Sequence, residues 1–267
     1  VDQFLTDSSK DYINLSGKDR QDTSRLISQM AYDHSDEVII VDGSNYVDSM
    51  SAIQVSAYLD APILLNSKGG LDRGTRAEMI RLRAEHAYLV GCNINPKLEA
   101  DLVEEGCKVT RISAEKPFDL SYKCGEFANK NNSNPKKSLI LASSEVFADS
   151  LSMSSYSYAN KVPMLLVPKD IDDNMAKIIN DYGAEEVLVI GGENTISSES
   201  MAKIGKARRI SGQDRYQTSR IIQKDYYPDS KNSLVASGLT FADTVAASPL
   251  AGIMKANIVL VKKTSEE

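Results

Sequence analysis

The sequence has no tryptophan, two histidines, three cysteines and no long apolar run. Each scarcity excludes something. A membrane-spanning helix needs about 18–20 consecutive apolar residues, so no span is expected. Cys92, Cys107 and Cys124 are odd in number and lack C-x-x-C spacing, which excludes a disulfide framework or a zinc site and leaves free, mostly buried thiols. His34 and His86 both lie in charged stretches, and neither G-x-S-x-G nor H-E-x-x-H occurs. Histidine-driven catalysis has little to build on. There is no G-x-x-x-x-G-K-[ST] loop and no cofactor is implied. Positive charge is also short: 31 Lys and Arg against 37 Asp and Glu give a net charge of −6. That balance argues against broad nucleic-acid binding, which needs a basic footprint.

What is present is ordinary in amount and informative in order. An apolar fraction of 42% and a charged fraction of 25% are those of a globular chain, and 267 residues allow two or three domains. Residues Ser16-Gly-Lys-Asp-Arg-Gln-Asp-Thr-Ser-Arg25 return as Ser211-Gly-Gln-Asp-Arg-Tyr-Gln-Thr-Ser-Arg220, with seven of ten positions identical, 195 residues on. A spacing of that size is an internal repeat rather than a local echo. About midway, Arg111-Ile-Ser113 mirrors Arg209-Ile-Ser211. Three helices carry an Asp at the same place, in Tyr46-Val-Asp48, Phe147-Ala-Asp149 and Phe241-Ala-Asp243.

The chain therefore divides into a lead-in (1–14) and modules over 15–112, 113–209 and 210–267. Within a module, short apolar runs such as Val38-Ile-Ile-Val41 alternate with helical stretches. Continuous β-branched runs of this kind read as strands buried on both faces of a parallel sheet. Helices are expected over 16–30, 46–58, 72–85 and 95–105, with matching segments in the second module. The fold class is α/β: three tandem Rossmann-like modules with parallel sheets and right-handed crossovers. Three similar units in tandem allow packing as a pseudo-threefold trimer. The third module stops after two strands and is expected to be truncated. Val1 in place of an initiator Met is expected of a chain whose signal peptide has been removed.

Several motifs have a plain structural reading. Ile190-Gly-Gly-Glu-Asn194 lies between a strand and a helix but lacks the third glycine of a dinucleotide fingerprint, and reads as a tight turn. Asp48, Asp149 and Asp243 near helix starts read as dipole and capping partners rather than catalytic carboxylates. Arg20 and Arg215 in the repeated segment have two open readings, contact with a ligand or an inter-module Arg–Asp network. Arg25 and Arg220 lie five positions further on, at about 500° around a helix, so each pair is not stacked and one member reads as a salt-bridge partner.

The Ser-Gly-x-Asp-Arg-x-x-Thr-Ser-Arg start, Phe-Ala-Asp-Ser/Thr, Pro62-Ile-Leu-Leu65 and Val189-Ile-Gly-Gly-x-x-x-Ile-Ser197 together resemble the type 2 cell-wall-binding repeat. The resemblance covers about residues 15–261. It implies a secreted protein on the surface of a Gram-positive bacterium, anchored non-covalently to an anionic cell-wall polysaccharide or teichoic-acid-like polymer, without catalysis of its own. It also implies ligand contact at one strand of each module: Ile63, Leu64 and Leu65, then Met164, Leu165 and Leu166, then Ile258, Val259 and Leu260. Aliphatic side chains do not attract phosphates, so these strands are expected to shape a site to which arginine and lysine supply charge. The second module departs from the pattern, reading Ala114-Glu-Lys-Pro117 where the others have Gly-x-Asp-Arg. Alternatives are an S-layer component working through contacts with other S-layer proteins, or a small-molecule α/β enzyme.

Overall fold

The structure, a computed structural model, describes residues 12–130 and 138–262; most of the expected lead-in lies outside those residues. The first unit runs α1 (Arg20–Ala31), β1 (Glu37–Asp42), α2 (Tyr46–Leu59), β2 (Ile63–Asn66), α3 (Arg73–Leu82), β3 (His86–Gly91), α4 (Pro96–Glu104) and β4 (Lys108–Ser113). The second runs α5 (Pro117–Lys130), β5 (Ser138–Ser143), α6 (Ala148–Asn160), β6 (Met164–Val167), α7 (Asp173–Asp181), β7 (Glu186–Ile190), α8 (Ser198–Ala202) and β8 (Ala207–Ile210). The third has α9 (Arg215–Tyr226), β9 (Ser233–Ser237), α10 (Ala242–Ile253) and β10 (Asn257–Val261).

All three sheets are parallel, in the orders β2-β1-β3-β4, β6-β5-β7-β8 and β10-β9. The expected α/β repeat with a shortened third unit is therefore what the chain forms. Val38, Ile39, Ile40 and Val41 are each at most 1% exposed, as a strand covered by helices on both faces requires. The first helix starts four residues later than its sequence pattern suggests. Asn14 takes the Ser16 N–H, Thr23 takes the Gly17 N–H, and Asp19 is the true cap, accepting the Asp22 N–H at 2.8 Å. Strand β8 escaped the sequence reading because Ala207-Arg-Arg-Ile210 carries two arginines at the sheet edge.

The three units close into a ring. Helices α2, α6 and α10 pack against one another in pairs about a pseudo-threefold axis. Each also reaches the second strand of the next unit, α2 to β6, α6 to β10 and α10 to β2. The first helix of that next unit lies across the same pair, and α1 on α10 completes the circle. One hydrophobic core joins all three sheets on this inner side, while separate clusters fill the outer faces of the first two.

Close approach at the axis depends on small residues. A Cβ on Gly252 of α10 would collide with Cδ1 of Tyr158, whose hydroxyl donates to Asp60 at 2.8 Å and pairs with Tyr32 at 3.0 Å. Gln54 of α2 crosses from the first unit to the second. Its amide donates to the Ser121 and Met164 carbonyls at 3.1 and 2.9 Å, and its oxygen accepts the Met164 N–H at 3.1 Å. Gln54 is 3% exposed, so removing it strands buried backbone groups.

Gln54→Leu is expected to lower unfolding stability by about 2–4 kcal/mol, since each orphaned buried group costs about 1–3 kcal/mol. Ser51 and Ser152, whose buried hydroxyls have no partner, provide the contrast. Their replacement by Ala is expected to be neutral or stabilising by up to about 1 kcal/mol. Urea unfolding of the three variants checks both outcomes.

Candidate functional site

The repeated sequence segment resolves into several separate structural roles. Gly17 and Gly212 pass so close to the following helix that a Cβ would stand 2.5 Å from the Thr23 nitrogen and 2.6 Å from the Thr218 nitrogen. The Thr23 and Thr218 hydroxyls accept the N–H of those glycines, each at 3.0 Å. Asp19 and Asp214 cap α1 and α9. Ser24 and Ser219 then accept the N–H groups of Leu65 and Leu260, both at 3.1 Å. These N–H groups belong to β2 and β10, the edge strands, where they would otherwise lack a ladder partner. The second unit keeps this edge-strand bond, with Ser121 accepting the Leu166 N–H at 2.9 Å. It loses the rest, with Lys116, Pro117 and Leu120 in place of Asp, Arg and Thr.

The arginines of the segment lie at the carboxyl ends of the strands, where α2, α6 and α10 begin. Tyr46, Phe147 and Phe241 form a triangle there, with ring centroids 5.9 to 6.0 Å apart in all three pairs. Such tilted aromatic pairs add about 0.5–1.5 kcal/mol each beyond their buried area. The Arg20 guanidinium lies 5.9 Å from the Phe241 centroid and donates to the Gly43 carbonyl at 2.6 Å. Arg215 repeats this over Phe147 at 5.8 Å and donates to the Gly238 carbonyl at 2.5 Å. Each arginine thus joins its own unit to the ring of the preceding one. Where Pro117 replaces the third arginine, Tyr46 uses its hydroxyl instead, bonding the Ser143 carbonyl at 2.7 Å and Ser150 Oγ at 2.8 Å.

The other residues of interest are placed differently. Arg25 pairs with Asp22 on its own helix, as the salt-bridge reading has it, and Arg220 is exposed on α9. Ile63, Leu64, Leu65, Met164, Leu165, Leu166, Ile258 and Leu260 are all at most 3% exposed, and Val259 is half-buried. These side chains belong to the cores, and the last carbonyls of β2 and β10, at Asn66 and Val261, hold the N–H groups of Gly43 and Gly238, on whose loops the arginines rest. His34 pairs with Asp36 at 2.9 Å and His86 with the Thr110 hydroxyl at 2.8 Å. Cys92, Cys107 and Cys124 are free thiols, and burial pushes Cys92 up to about 12. The Gly191-Gly192 turn does not aim a helix at a phosphate. Gly191 has φ +106°, and Ser197 caps a five-residue α8 several positions later. Among the described residues, no group of three or more metal-ligating side chains comes together, and no helix is long and apolar enough to cross a membrane.

The repeated aspartates hold more than their own helices. Asp48 sits in the first turn of α2, where Asn45 already supplies the cap, and accepts the Cys92 N–H beyond β3 at 2.9 Å. That partner is 44 residues away and left no signal in the sequence. Burial pushes the Asp48 carboxyl up to about 6, against the pull of the Cys92 bonds. Asp149 is also raised by burial, opposed by the Thr218 hydroxyl and by Arg215 of the following unit.

The described residues form a ring of three parallel α/β repeats with two guanidiniums at its strand ends. Residues 14–93, 111–201 and 209–267 match the model of the cell wall binding domain 2 family. The chain belongs to that family and is a cell-wall-associated binding module.

Relatives agree. The chain is 24% identical to the N-acetylmuramoyl-L-alanine amidase LytC of Bacillus subtilis over 249 residues, covering 92% of this chain and 49% of that protein. It is 25% identical to the Bacillus subtilis amidase enhancer over 257 residues, 94% of this chain and 35% of that protein. Among solved structures, Cwp6 from Clostridium difficile superposes with a TM-score of 0.86 at 28% identity, over 96% of this chain and 43% of its own. Cwp8 from the same organism gives 0.84 at 26% identity, over 97% and 47%. The chain spans about half or less of the length of these proteins.

Asp48 gives a pH-dependent test. Its folded pKa lies above the ordinary value of 3.8, so between about pH 4 and 6 the folded chain holds a proton that the unfolded chain releases. Its burial therefore costs stability at pH 7 and costs nothing below about pH 4. Asp48→Asn keeps an acceptor for Cys92 and is expected to gain about 1–2 kcal/mol at pH 7, with the gain vanishing at about pH 4. Urea midpoints of the two chains at both pH values measure it. A gain that persists at the lower pH would contradict the assignment.

Proposed function

We propose that this chain fastens the protein carrying it to an anionic polymer of the cell wall, non-covalently and without chemistry of its own. The carrying observation is the pair of guanidiniums at the strand ends. Arg20 is exposed and Arg215 half-buried, each held flat by an aromatic ring and one carbonyl. An arginine has five N–H donors, and the carbonyl bond uses one. A preorganised guanidinium of this kind gives up little side-chain freedom when it meets a phosphate or carboxylate. The aliphatic strands take part from beneath, fixing the loops on which the arginines lie. Because the chain is acidic overall, with a net charge of −6, attraction of a polyanion has to be local to this end. Two modest contacts on one rigid ring suit a repeating polymer, where the second contact is made at high effective concentration. The resemblance to LytC and the amidase enhancer supports the same division of labour, the shared region fastening and the remainder of each protein acting.

Replacement of Arg20 and Arg215 together by Gln is expected to cut sedimentation with purified walls at least about tenfold. Wild-type binding should also fall as salt is raised toward 1 M, where the Debye length shrinks to about 3 Å. Walls stripped of their anionic polymer should no longer bind the wild-type chain. Equal binding of wild type and double variant would overturn the arginine role, and unchanged binding to stripped walls would move the target to peptidoglycan. Thermal unfolding separates the arginines' ring contacts, worth about 0.5–1 kcal/mol each, from their contribution to binding.

A further inference from the structure

The first unit contains a cavity that the strand-end arginines do not use. It lies at the carboxyl ends of β1 and β3 and has a volume of about 390 Å³. The chain leaves β1 for β2 on one side and returns to β3 on the other. A crevice at such a change of direction is where open α/β sheets hold ligands. Ile40, Val90 and Leu98 make an apolar floor, with at most 7% of each exposed. Asp42, Ser44, Asn45, Asp48 and Asn93 line the walls, and Tyr46 of the aromatic triangle closes one side. Lys68 is the one cation among the lining residues and is exposed.

The second unit treats the same place differently. Its loop after β7 is longer, Ile196 is fully buried in the outer core, and Arg209 clamps the Gly191 and Ile196 carbonyls at 2.7 and 2.8 Å. In the first unit the loop after β3 is short, Ile94 is half-buried and borders the cavity, and Arg111 bonds the Ile94 carbonyl at 3.2 Å and Glu99 at 2.9 Å. The same place is thus built differently in the first two units.

We propose that this cavity is a binding site for one neutral, hydroxyl-bearing sugar residue, present once per chain; it rests on the wall-anchoring reading only for the source of the sugar. The lining chemistry selects this class. Two carboxylates, one of them 2% exposed at Asp48, disfavour a phosphate or a carboxylate ligand by like charge. The same groups are strong acceptors for vicinal hydroxyls, and asparagine and serine side chains both donate and accept. An apolar floor beneath polar walls matches a pyranose ring, whose faces are C–H and whose rim is hydroxyl. The volume lies near the lower end of ligand pockets, about 300–1,000 Å³, enough for a single sugar unit. A polymer of sugars and anionic groups would then meet two kinds of contact at one end of the ring, sugar here and charge at the arginines.

The test uses the wild-type chain, Asn93→Trp, and the double variant with Gln at Arg20 and Arg215. Asn93 is exposed at the cavity wall, so the indole fills the opening without entering the core. The probes are glucose, N-acetylglucosamine, glucose 1-phosphate and inorganic phosphate, read by saturation-transfer NMR and calorimetry. At least one neutral sugar is expected to bind the wild-type chain one to one with an affinity of about 1 mM. Its phosphorylated counterpart should bind about tenfold more weakly. Asn93→Trp should lose neutral-sugar binding at least about tenfold while keeping the wild-type melting temperature, and the double arginine variant should retain it. No neutral sugar bound at about 50 mM, binding untouched by Asn93→Trp, or tighter binding of glucose 1-phosphate than of glucose by the double arginine variant would each overturn the proposal. The two readings fail separately. Loss of wall binding in the double arginine variant, with no sugar bound by wild type, removes the cavity and leaves the anchor. Sugar binding with no loss of wall adhesion in that variant does the reverse.

Discussion

Everything in this molecule depends on three helices that are buried on nearly every side. An ordinary surface helix of an α/β sheet is apolar on one stripe and polar on the other. Helices α2, α6 and α10 have no solvent face to speak of, because each lies between its own sheet, its two counterparts and the next unit. Their composition answers that confinement with small side chains: Ser49, Ser51 and Ala52 in α2, Ser152, Ser154 and Ser155 in α6, and Thr244, Ala246, Ser248 and Gly252 in α10. Hydroxyls settle locally where they can, as Ser248 does with Ser154 at 2.7 Å, and a few do not. The unpaired hydroxyls of Ser51 and Ser152 show that size outranks polarity at the axis.

Ring closure follows from the same confinement. A parallel sheet whose second strand is an edge carries N–H groups that need partners. The unit's own first helix lies over that edge, a serine hydroxyl on it accepts from the edge in all three units, and the preceding unit's central helix packs on the pair. Gln54 adds a further set of bonds to one of the three junctions. The serine of the repeated segment, which looks like surface decoration in the sequence, closes the sheet edge on which the preceding unit's helix rests.

This explains what could be read from the sequence and what could not. Strands such as Val38–Val41 and Val187–Ile190 were legible because burial on both faces leaves an unbroken apolar run. The repeat was legible because the same junction is built more than once, and its spacing implied a threefold ring. The aromatic triangle was visible only as Tyr or Phe two positions before each aspartate, with nothing to say that residues about a hundred positions apart would touch. Asp48 shows the same limit: its pattern suggested a helix end, while its bond is to Cys92 in another loop. Strand β8 was hidden because an edge strand can carry arginines, Arg208 toward solvent and Arg209 onto the Gly191 and Ile196 carbonyls. The Ile-Leu-Leu strands drew attention as a motif, and their sequence character already described what the structure shows, side chains enclosed in a core.

The second unit separates the demands of folding from those of the surface. It has given up the aspartate cap, the arginine and the threonine of the repeated segment, yet keeps Ser121 on the Leu166 N–H. The sheet edge cannot be covered with its N–H left unpaired, which costs about 1–3 kcal/mol. An arginine at the rim can be dispensed with, since its ring contact is worth less and Tyr46 supplies other bonds in its place. What appears three times is what the ring needs in order to exist. What appears twice, as the arginines do, or is built differently from unit to unit, as the loop after the third strand is, is free to vary. Asymmetry on a symmetric frame lets one face present different chemical contacts to a polymer whose own repeat contains more than one kind of group.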